Sequence, residues 1–417
     1  MTKTAQLLGT RLRASSVVLA LAIVLVPAIL ATPPAKAQTF TVLYDFKGEN
    51  GDAYWPVASL VRDAAGNLYG TTYYGGTYDN GTVYEVDSKG NETVLYSFSG
   101  GADGGSSYAG LTLDAAGNLY GTTYYGGSGG CNDGYGGGCG VVFELSTTGQ
   151  ESVLHSFSGG ADGKYPLAIL LRDSAGNLYG TASGGGAYGY GTVFMIDSTG
   201  NETVLYSFTG STDGANPGYG VLVRAANGTL YGTTGAGGDM SECTPRGCGT
   251  VFKLDNAGRE TVLYSFTGGA DGAGPVGLVR DAGGNLYGTT GHGGAHGAGT
   301  VFKVDKSGKE TVLHSFSHSK KDGRLPFAGV IRDPAGNLYG TTYTGGTYGN
   351  GTLFKVDKKG KETVLHSLTF SDGGGMVGGL VRDAKGNLYG AAQTGGTSGS
   401  CGSTGCGTVF VLNPKSH

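Results

Sequence analysis

The chain has few charged residues, little proline and, beyond residue 37, no helical periodicity of useful length. Charged residues make up 14% of the sequence and the formal net charge is −4, so the chain lacks the basic surface that nucleic acid requires. A collagen-like chain is excluded because the sequence has only 11 prolines and no three-residue repeat. Glycine is abundant instead, at 85 of 417 residues, beside 26 tyrosines and 15 phenylalanines. This composition is too aromatic for a disordered chain and predicts an all-β protein with frequent turns.

Only one long apolar run occurs, near the N-terminus. Val17–Leu30 contains 14 residues, fewer than the about 20 that cross a bilayer. It precedes the small-x-small pattern of residues 35–37 and follows a basic segment. The basic residues are Lys3, Arg11 and Arg13. This pattern predicts a signal peptide over residues 1–37, with an uncleaved N-terminal anchor as the alternative. Residues 38–417 are then expected to form a single secreted domain, extracellular or periplasmic, without a membrane span.

A tyrosine-containing segment, Asn-Leu-Tyr-Gly or its variant Thr-Leu-Tyr-Gly, recurs seven times at intervals of 50 to 59 residues. Its tyrosines are Tyr69, Tyr120, Tyr179, Tyr231, Tyr287, Tyr339 and Tyr389. Three other segments recur in fixed order around it, exemplified by Leu60–Asp63, Gly81–Tyr84 and Val94–Phe98. Each segment has the composition of a strand of 4 to 7 residues. Repetition at this period is typical of folds built from stacked modules.

Tight-turn sequences join the strands of each module. Asp63–Asn67 connects the first and second strands, and Asp87–Asn91 connects the third and fourth. Aspartate, glycine and asparagine favour such turns because they cap the backbone or adopt positive φ. Each module is therefore predicted to be a four-stranded antiparallel meander, and seven of them predict a seven-bladed β-propeller.

The two ends of the predicted domain complement each other. Residues 42–46 repeat the fourth-strand segment, and the seventh module lacks that strand after Leu412. The N-terminal strand is therefore expected to complete the last blade as its outermost strand, which removes two open sheet edges. An open solenoid is the alternative.

The run GNLYGTT–GG–GTVFKVD–ETVLYSF resembles the bacterial GloVer tandem repeat, named for Gloeobacter and Verrucomicrobia proteins. The resemblance covers residues 38–412. It implies an exported repeat protein and supplies no catalytic residues. Some such proteins have a separate C-terminal anchor, which residues 413–417 do not resemble.

The meander places the longer connections of every module on one face. These are the links between an outer strand and the next inner strand, and the middle loops between the second and third strands. Long loops on a rigid scaffold commonly carry function. Aromatic residues on this face are expected either to pack on one another and seal the face or, as the second interpretation, to stack on a glycan or another polar polymer. In the second interpretation the ligand contacts are Tyr54, Trp55, Tyr73, Tyr74, Tyr124, Tyr125 and Tyr165.

Six cysteines fall as three local pairs, each in a middle loop. Pairing within each loop predicts Cys131–Cys139, Cys243–Cys248 and Cys401–Cys406, as expected in an oxidising compartment. Each staple is expected to contribute about 2 kcal/mol. The pairs belong to modules 2, 4 and 7, which are not neighbours in a ring, so a shared zinc site is not predicted.

Two other residue types recur in every or nearly every module. Seven links carry an aspartate, predicted to hold a turn, with a ring of calcium-binding carboxylates as the alternative. These are Asp52, Asp103, Asp162, Asp213, Asp271, Asp322 and Asp372. Six inner strands carry an arginine, predicted to pair with neighbouring acids or to line the lower channel. These are Arg62, Arg172, Arg224, Arg280, Arg332 and Arg382.

The histidines predict no metal site. His155, His314 and His366 occupy a tyrosine position of the outer strands and are predicted to be structural. His292 and His296 share a glycine-rich loop, which does not fix the orientation of both rings.

No nucleophile elbow, phosphate loop or helical metal motif is present, so neither a catalytic residue nor a cofactor is predicted. The favoured hypothesis is a non-catalytic exported binding propeller whose partner is an extracellular glycan or a surface protein. A structural cell-surface protein without a small ligand is the second hypothesis. The third is an extracellular polysaccharide lyase or hydrolase using loop carboxylates. Those carboxylates are Asp79, Asp133, Asp239 and Glu242.

Overall fold

The computed structural model describes Met1 and residues 38–49, 51–132, 137–218, 220–241, 243–398 and 400–413. The predicted signal peptide lies outside the described residues apart from Met1. Residues 38–413 belong to one compact unit. Within the described part of the chain, no helix has the length and apolarity needed to cross a membrane.

Seven four-stranded antiparallel sheets form the blades of a β-propeller, as predicted. The strands are given from inner to outer. Blade 1 consists of Val61–Arg62, Leu68–Thr71, Thr82–Val86 and Glu92–Ser97, and blade 2 of Thr112–Leu113, Leu119–Thr122, Val141–Leu145 and Glu151–Ser156. Blade 3 consists of Leu171–Arg172, Leu178–Gly184, Thr192–Ile196 and Glu202–Ser207, and blade 4 of Val223–Arg224, Leu230–Thr234, Thr250–Leu254 and Glu260–Ser265. Blades 5 to 7 are Ala273–Arg280, Leu286–His292, Thr300–Val304, Glu310–Ser315; Ile331–Arg332, Leu338–Thr342, Thr352–Val356, Glu362–Ser367; and Val381–Arg382, Leu388–Ala392, Thr408–Asn413, Thr39–Asp45.

Short additional strands extend the blades toward the long-loop face. Ala53–Tyr54 pairs with Tyr74–Gly75, and Gly323–Arg324 pairs with Thr344–Gly345. Lys164–Pro166 pairs with the second strand of blade 3. A 3-10 turn, Gly402–Thr404, is the only helix among the described residues.

The N-terminal strand closes the ring, as the sequence predicts. Thr39 pairs with Asn413 and Asp45 pairs with Thr408 in antiparallel register. Asp45 also accepts hydrogen bonds from the backbone N–H and the hydroxyl of Thr397. Both ends of the described propeller are therefore fixed in one sheet.

The predicted turn chemistry is present between the strands. The Asp63 Oδ1 atom accepts hydrogen bonds from the N–H groups of Gly66 and Asn67 at 2.7 and 2.8 Å. The Asn67 side chain donates to Asp63 Oδ2 at 3.0 Å, and Gly66 has φ +102°. One aspartate thus holds the whole turn, which explains the Asp-x-x-Gly-Asn pattern.

The inner strands are shorter than predicted. The four-residue segment at Leu60–Asp63 contributes only a two-residue strand, and blade 5 alone has a long inner strand. The backbone just before these inner strands forms hydrogen bonds with side chains of a neighbouring blade instead. Before the inner strand of blade 2, the Ala109 carbonyl accepts from Thr71 Oγ1 of blade 1 at 2.8 Å. Before the inner strand of blade 7, the Gly379 N–H donates to Ser59 Oγ of blade 1 at 2.7 Å. Contacts between blades therefore replace the sheet ladder near the axis.

Aromatic rings form the core between the blades. Phe98, on the outer edge of blade 1, meets Phe143 of blade 2 at 5.1 Å between ring centroids, and both are fully buried. The Phe143 ring lies over Gly121 of the Leu-Tyr-Gly segment, where a Cβ atom would be 2.6 Å from Phe143 Cζ. The glycine of this repeated segment is thus required by the ring that covers it.

The recurring arginines also join neighbouring blades. Arg172 of blade 3 lies over the Tyr120 ring of blade 2 at 5.2 Å, and its guanidinium is 4.0 Å from Asp114. Arg224 is similarly placed over Tyr179, 3.9 Å from Asp173. The prediction that these arginines pair with neighbouring acids is confirmed at these two junctions, and stacking on tyrosine is an additional contact that the sequence did not predict.

Candidate functional site

One residue with positive φ stands in each blade where the link enters the inner strand. These residues are Trp55, Ser106, Tyr165, Asn216, Gly274, Leu325 and Gly375, with φ between 52° and 62°. Glycine adopts this conformation freely, but a bulky side chain rarely does. Trp55 and Tyr165 therefore occupy backbone positions at which two other blades have glycine.

Hydrogen bonds from two blades fix this conformation. The Trp55 N–H donates to the Cys406 carbonyl of blade 7 at 2.9 Å, and the Trp55 carbonyl accepts from the Tyr73 N–H at 3.1 Å. The Tyr165 N–H likewise donates to the Cys139 carbonyl at 2.8 Å. Each aromatic side chain is thus positioned by the middle loop of the preceding blade.

A first group of rings surrounds Trp55. Tyr74 lies 5.4 Å from Trp55 and stacks on Tyr54 at 5.5 Å, both measured between centroids. Tyr73 meets Tyr74 edge-on at 4.5 Å. These distances are typical of favourable aromatic pairs.

A second group surrounds Tyr165. Tyr124 stacks on Tyr165 at 4.7 Å and meets Tyr125 edge-on at 4.5 Å. Tyr108 connects the two groups, 4.7 Å from Tyr73 and 5.4 Å from Tyr124. We call this connected set the aromatic strip. Its members are Tyr54, Trp55, Tyr73, Tyr74, Tyr108, Tyr124, Tyr125 and Tyr165.

The strip contains all seven aromatic residues predicted from the sequence as ligand contacts, now in one connected group. Tyr108 was not among them. It lies two residues after the positive-φ position of blade 2, where blade 1 has Val57 and blade 3 has Leu167. Aligning the repeats at that position could have identified it.

The strip is accessible at its surface. Tyr108 is 39% exposed, and the other seven rings are half-buried. The indole Nε1 of Trp55 is buried and has no hydrogen-bond partner among the described residues.

Polar groups border the strip at both ends. Tyr54 donates from its hydroxyl to Asp79 Oδ1 at 2.8 Å, and burial together with this bond raises the pKa of Tyr54. The Lys164 ammonium lies 5.2 Å from the Tyr165 ring centroid. The surface thus combines aromatic faces with a hydroxyl, a carboxylate and an ammonium.

The carboxylates of the hydrolase hypothesis are not brought together among the described residues. Asp79 of blade 1 accepts from Tyr54 and from the Gly75 N–H, and Asp239 of blade 4 accepts from Ser241. Hydrogen bonds from Ser241 lower the pKa of Asp239. Asp133 and Glu242 lie outside the described residues. The two described carboxylates therefore have the environment of loop acceptors rather than of a general acid.

The three predicted disulfides are formed, with Cα–Cα distances of 5.1 to 5.2 Å. Cys139 and Cys406 are the residues whose carbonyls hold Tyr165 and Trp55. The Cys248 carbonyl accepts instead from Gly274, which has no side chain to position. Two of the three disulfides thus stand directly behind the strip.

The link aspartates hold turns, as predicted. Asp103 accepts from the Ser99 N–H at 2.7 Å and from the Tyr96 hydroxyl at 3.1 Å. Asp372 accepts from the Thr369 N–H and lies 3.0 Å from His366 Nε2. Each carboxylate is engaged by its own link and outer strand, which is the turn role predicted for it.

The histidines of the glycine-rich loop are not brought together as a ligand pair. His292 lies 5.6 Å from Phe327, ring to ring, whereas His296 provides a carbonyl contact to His318 Nε2 at 2.9 Å.

The comparisons identify a family but no activity. The Gloeobacter/Verrucomicrobia repeat model matches residues 30–245, 129–334 and 240–417. No curated protein matches the chain. A solved gluconolactonase from Xanthomonas campestris is similar at 14% identity over 92% of this chain and 91% of that one, with a TM-score of 0.45. A second, assigned as a gluconolactonase, is 16% identical over 66% and 81%, with a TM-score of 0.38. Neither likeness carries an argument about chemistry.

Proposed function

Because the chain belongs to the Gloeobacter/Verrucomicrobia repeat family, we propose that it is an exported, non-catalytic binding propeller whose aromatic strip recognises a glycan or another polar polymer. Export is supported by the signal-peptide pattern of residues 1–37 and by the three disulfides, which persist in oxidising compartments. The proposal concerns the face formed by blades 1 to 3.

The observation that carries the proposal is the placement of Trp55 and Tyr165. Positive φ at a bulky residue costs about 1–3 kcal/mol, and glycine at Gly274 and Gly375 satisfies the same backbone without that cost. The scaffold therefore does not require either ring. Leu325 of blade 6 has the same strained backbone, but at Trp55 and Tyr165 the strained residue is a ring within the aromatic strip, which supports a role in recognition.

The chemistry of the strip suits a sugar chain. Tyrosine and tryptophan faces stack on the apolar faces of sugar rings, while hydroxyl and amine groups bond to sugar hydroxyls. A strip extending over three blades offers several adjacent rings, as a polymer with repeated units requires. The unpartnered indole N–H of Trp55 adds a donor that a ligand oxygen can satisfy.

A glycan array, followed by calorimetric titration with the oligosaccharide that binds, tests the proposal. Trp55→Gly and Tyr165→Gly keep the backbone conformation that Gly274 and Gly375 adopt. Each is expected to weaken binding about 10- to 100-fold, in the range of central contact residues. Leu325→Gly makes the same change in blade 6, away from the strip, and is expected to leave affinity unchanged.

Three results would contradict the proposal. A parent protein that binds nothing on the array would favour a structural surface protein. Shortening of a polysaccharide would identify an enzyme. Equal affinity in the parent and both aromatic variants would place the binding site elsewhere.

A further inference from the structure

A second cluster of polar residues recurs on the outside of the propeller, at the junctions between blades. At six junctions, a tyrosine or histidine of one outer strand and the aspartate of the following link meet a glutamate that begins the next outer strand. In the junction of blades 1 and 2, burial, followed by the charges of Asp103 and Glu151, raises the pKa of Tyr96. At the remaining junction Phe40 replaces the glutamate and stacks on His366 at 4.2 Å.

The junction of blades 5 and 6 differs from the others. One ligand atom each of His314, Asp322 and Glu362 lies within 4.8 Å of the other two. His314 Nε2 is 3.5 Å from Asp322 Oδ1, which is too long for a good hydrogen bond. His314 Nε2 and Glu362 Oε1 are both buried and have no hydrogen-bond partner among the described residues. The corresponding glutamate oxygen is unsatisfied within the described chain at the other five glutamate junctions too, and so is His155 Nε2, so the feature that distinguishes this junction is the convergence of its three ligand atoms.

Comparison with the other junctions isolates this one. Four junctions have tyrosine in the histidine position, at Tyr44, Tyr96, Tyr206 and Tyr264. The junction of blades 2 and 3 has His155, Asp162 and Glu202, yet its three side chains do not meet the same distance limit, and the part of the chain that the structure describes contains no other such group. Within the described ranges, only the junction of blades 5 and 6 brings all three ligand atoms within 4.8 Å of one another, although His155 Nε2 is also close to its link aspartate, 3.4 Å from Asp162 Oδ2.

We propose that His314, Asp322 and Glu362 bind a divalent transition-metal ion, with Zn²⁺ as the best fit. One imidazole nitrogen and two carboxylate oxygens are a ligand set that zinc accepts, with water in the fourth position. Calcium and magnesium favour sites built from oxygen alone. Zinc–ligand distances of about 2.0–2.2 Å hold the ligand atoms about 3.3 Å apart, so a group that spans at most 4.8 Å must contract by up to about 1.5 Å.

The charges of Asp322 and Glu362, and the hydrogen bonds that Asp322 already accepts, are compatible with an ion bound between them. Glu362 Oε1 and His314 Nε2 are buried, so the two carboxylates share a poorly solvated site that a dication would stabilise. Asp322 accepts from the Ser317 N–H and hydroxyl and from the Gly323 N–H. A carboxylate has about four acceptor positions, which leaves one for a metal while the turn remains held.

The site lies apart from the aromatic strip, so the proposal is independent of glycan binding. It revises the sequence-based prediction that His314 is only structural. The other two histidines of this position keep that interpretation, because His366 faces Phe40 rather than a glutamate and His155 lacks a convergent group.

Zinc titration of chelator-treated protein, by calorimetry and by metal analysis after dialysis, tests the site. The parent is expected to bind one Zn²⁺ per chain at this site, and His314→Tyr to bind it at least tenfold more weakly. Tyrosine occupies this position at four junctions, so the variant is expected to fold, as its melting curve without metal will show. Glu362→Gln is a second variant with the same expected loss. His155→Tyr is the matched control and is expected to bind zinc like the parent.

The outcomes are distinct. Absence of zinc binding in the parent overturns the proposal, as does equal binding by the parent and His314→Tyr. Loss of binding in His155→Tyr would move the site to the junction of blades 2 and 3 and would also overturn it.

Discussion

Blades 1 to 3 and blades 4 to 7 share one backbone at the long-loop face but present different side chains there. The positive-φ position holds tryptophan and tyrosine in blades 1 and 3, and asparagine or glycine in blades 4, 5 and 7. After the second strand, blades 1 and 2 have paired tyrosines where blades 4 and 7 have Gly235-Ala236 and Gln393-Thr394. In blades 1 to 6 the N–H of this residue donates to a carbonyl of the preceding blade, so the same backbone hydrogen bond recurs in both halves.

This difference distinguishes the positions at which folding requires a particular residue from those at which the fold accepts several different residues. Positions filled alike in every or nearly every blade, such as the link aspartates and the core phenylalanines, contact the scaffold itself. Positions that vary while the backbone stays constant are free to be used for recognition. In a repeat protein the exception to the repeat is therefore the better guide to function.

The largest expected effect comes from breaking the scaffold that both halves share. Deleting residues 38–46 removes the outer strand of blade 7 and exposes the edge of Thr408–Asn413. We expect cooperative unfolding to be lost and the protein to aggregate, because an unpaired strand edge is exposed. Differential scanning calorimetry of the deletion variant against the chain beginning at Gln38 measures this. A deletion variant with the parent's melting curve would show that closure is dispensable.

A smaller effect is expected from a residue that all blades share. Tyr120→Ala removes the ring beneath Arg172 and the hydroxyl contact to Glu144, and we expect a loss of about 3 kcal/mol in the free energy of unfolding. Tyr124→Ala, in the strip of blade 2, is the comparison and is expected to cost less than half as much, because its ring is half-buried. Urea denaturation of both variants measures the difference. Equal losses would mean that the strip is part of the core.

The disulfides provide a further comparison, between pairs that stand behind a residue of the aromatic strip and a pair that does not. Replacing both cysteines of any one pair by serine is expected to cost about 2 kcal/mol or less, because each closes a short loop. Only loss of Cys131–Cys139 or Cys401–Cys406 is expected to weaken binding of the glycan found on the array, since these pairs stand behind Tyr165 and Trp55. Loss of Cys243–Cys248 is the control. An equal effect of all three on affinity would refute the positioning role.

The smallest effect concerns pH. Burial and a neighbouring link aspartate raise the pKa of Glu151 to about 7, above the ordinary 4.5. The folded protein therefore binds this proton more tightly than the unfolded chain, so the associated stability is present below pH 4.5 and is lost as pH rises through 7. Glu92, Glu202 and Glu260 behave alike, so we expect the melting temperature to fall between pH 5 and pH 8.

Glu151→Gln is expected to make the fall of the melting temperature with pH less steep, by the contribution of one glutamate. Glu49→Gln, at an exposed position, is the control and is expected to leave the slope unchanged. Thermal melts at half-unit pH steps measure both. A flat melting temperature from pH 5 to pH 8 in the parent would contradict the assignment.

The sequence predicted the blade count, the strand order and the ring closure because these depend on repetition along the chain. Residues 42–46 copy the outer-strand segment, and the copy alone indicates where the strand pairs. The length of the inner strands was not predictable, because partners from other blades, such as Thr71 on Ala109, decide where the ladder stops.

The aromatic residues of the candidate site were predictable, but their arrangement was not. The sequence alone placed Trp55 and Tyr165 on the long-loop face, because the loops of that face are visibly rich in tyrosine. Their positive φ values depend on carbonyls more than 20 residues away, in the preceding blade. The meeting of His314 and Glu362 has the same origin, since strand twist rather than sequence spacing brings the outer strands of two blades together.

Closure of the last blade also governs the order in which the molecule assembles. Asn413 and Thr39 are in direct contact although 374 residues separate them. During synthesis Thr39–Asp45 emerges before every other strand of the described propeller, and its partner Thr408–Asn413 emerges after all of them. Earlier blades can form as their four strands become available, but blade 7 must wait until Thr408–Asn413 has been made. The N-terminal strand is therefore a long-lived unpaired segment during biogenesis, and the interval before it is covered is the period of greatest risk of aggregation.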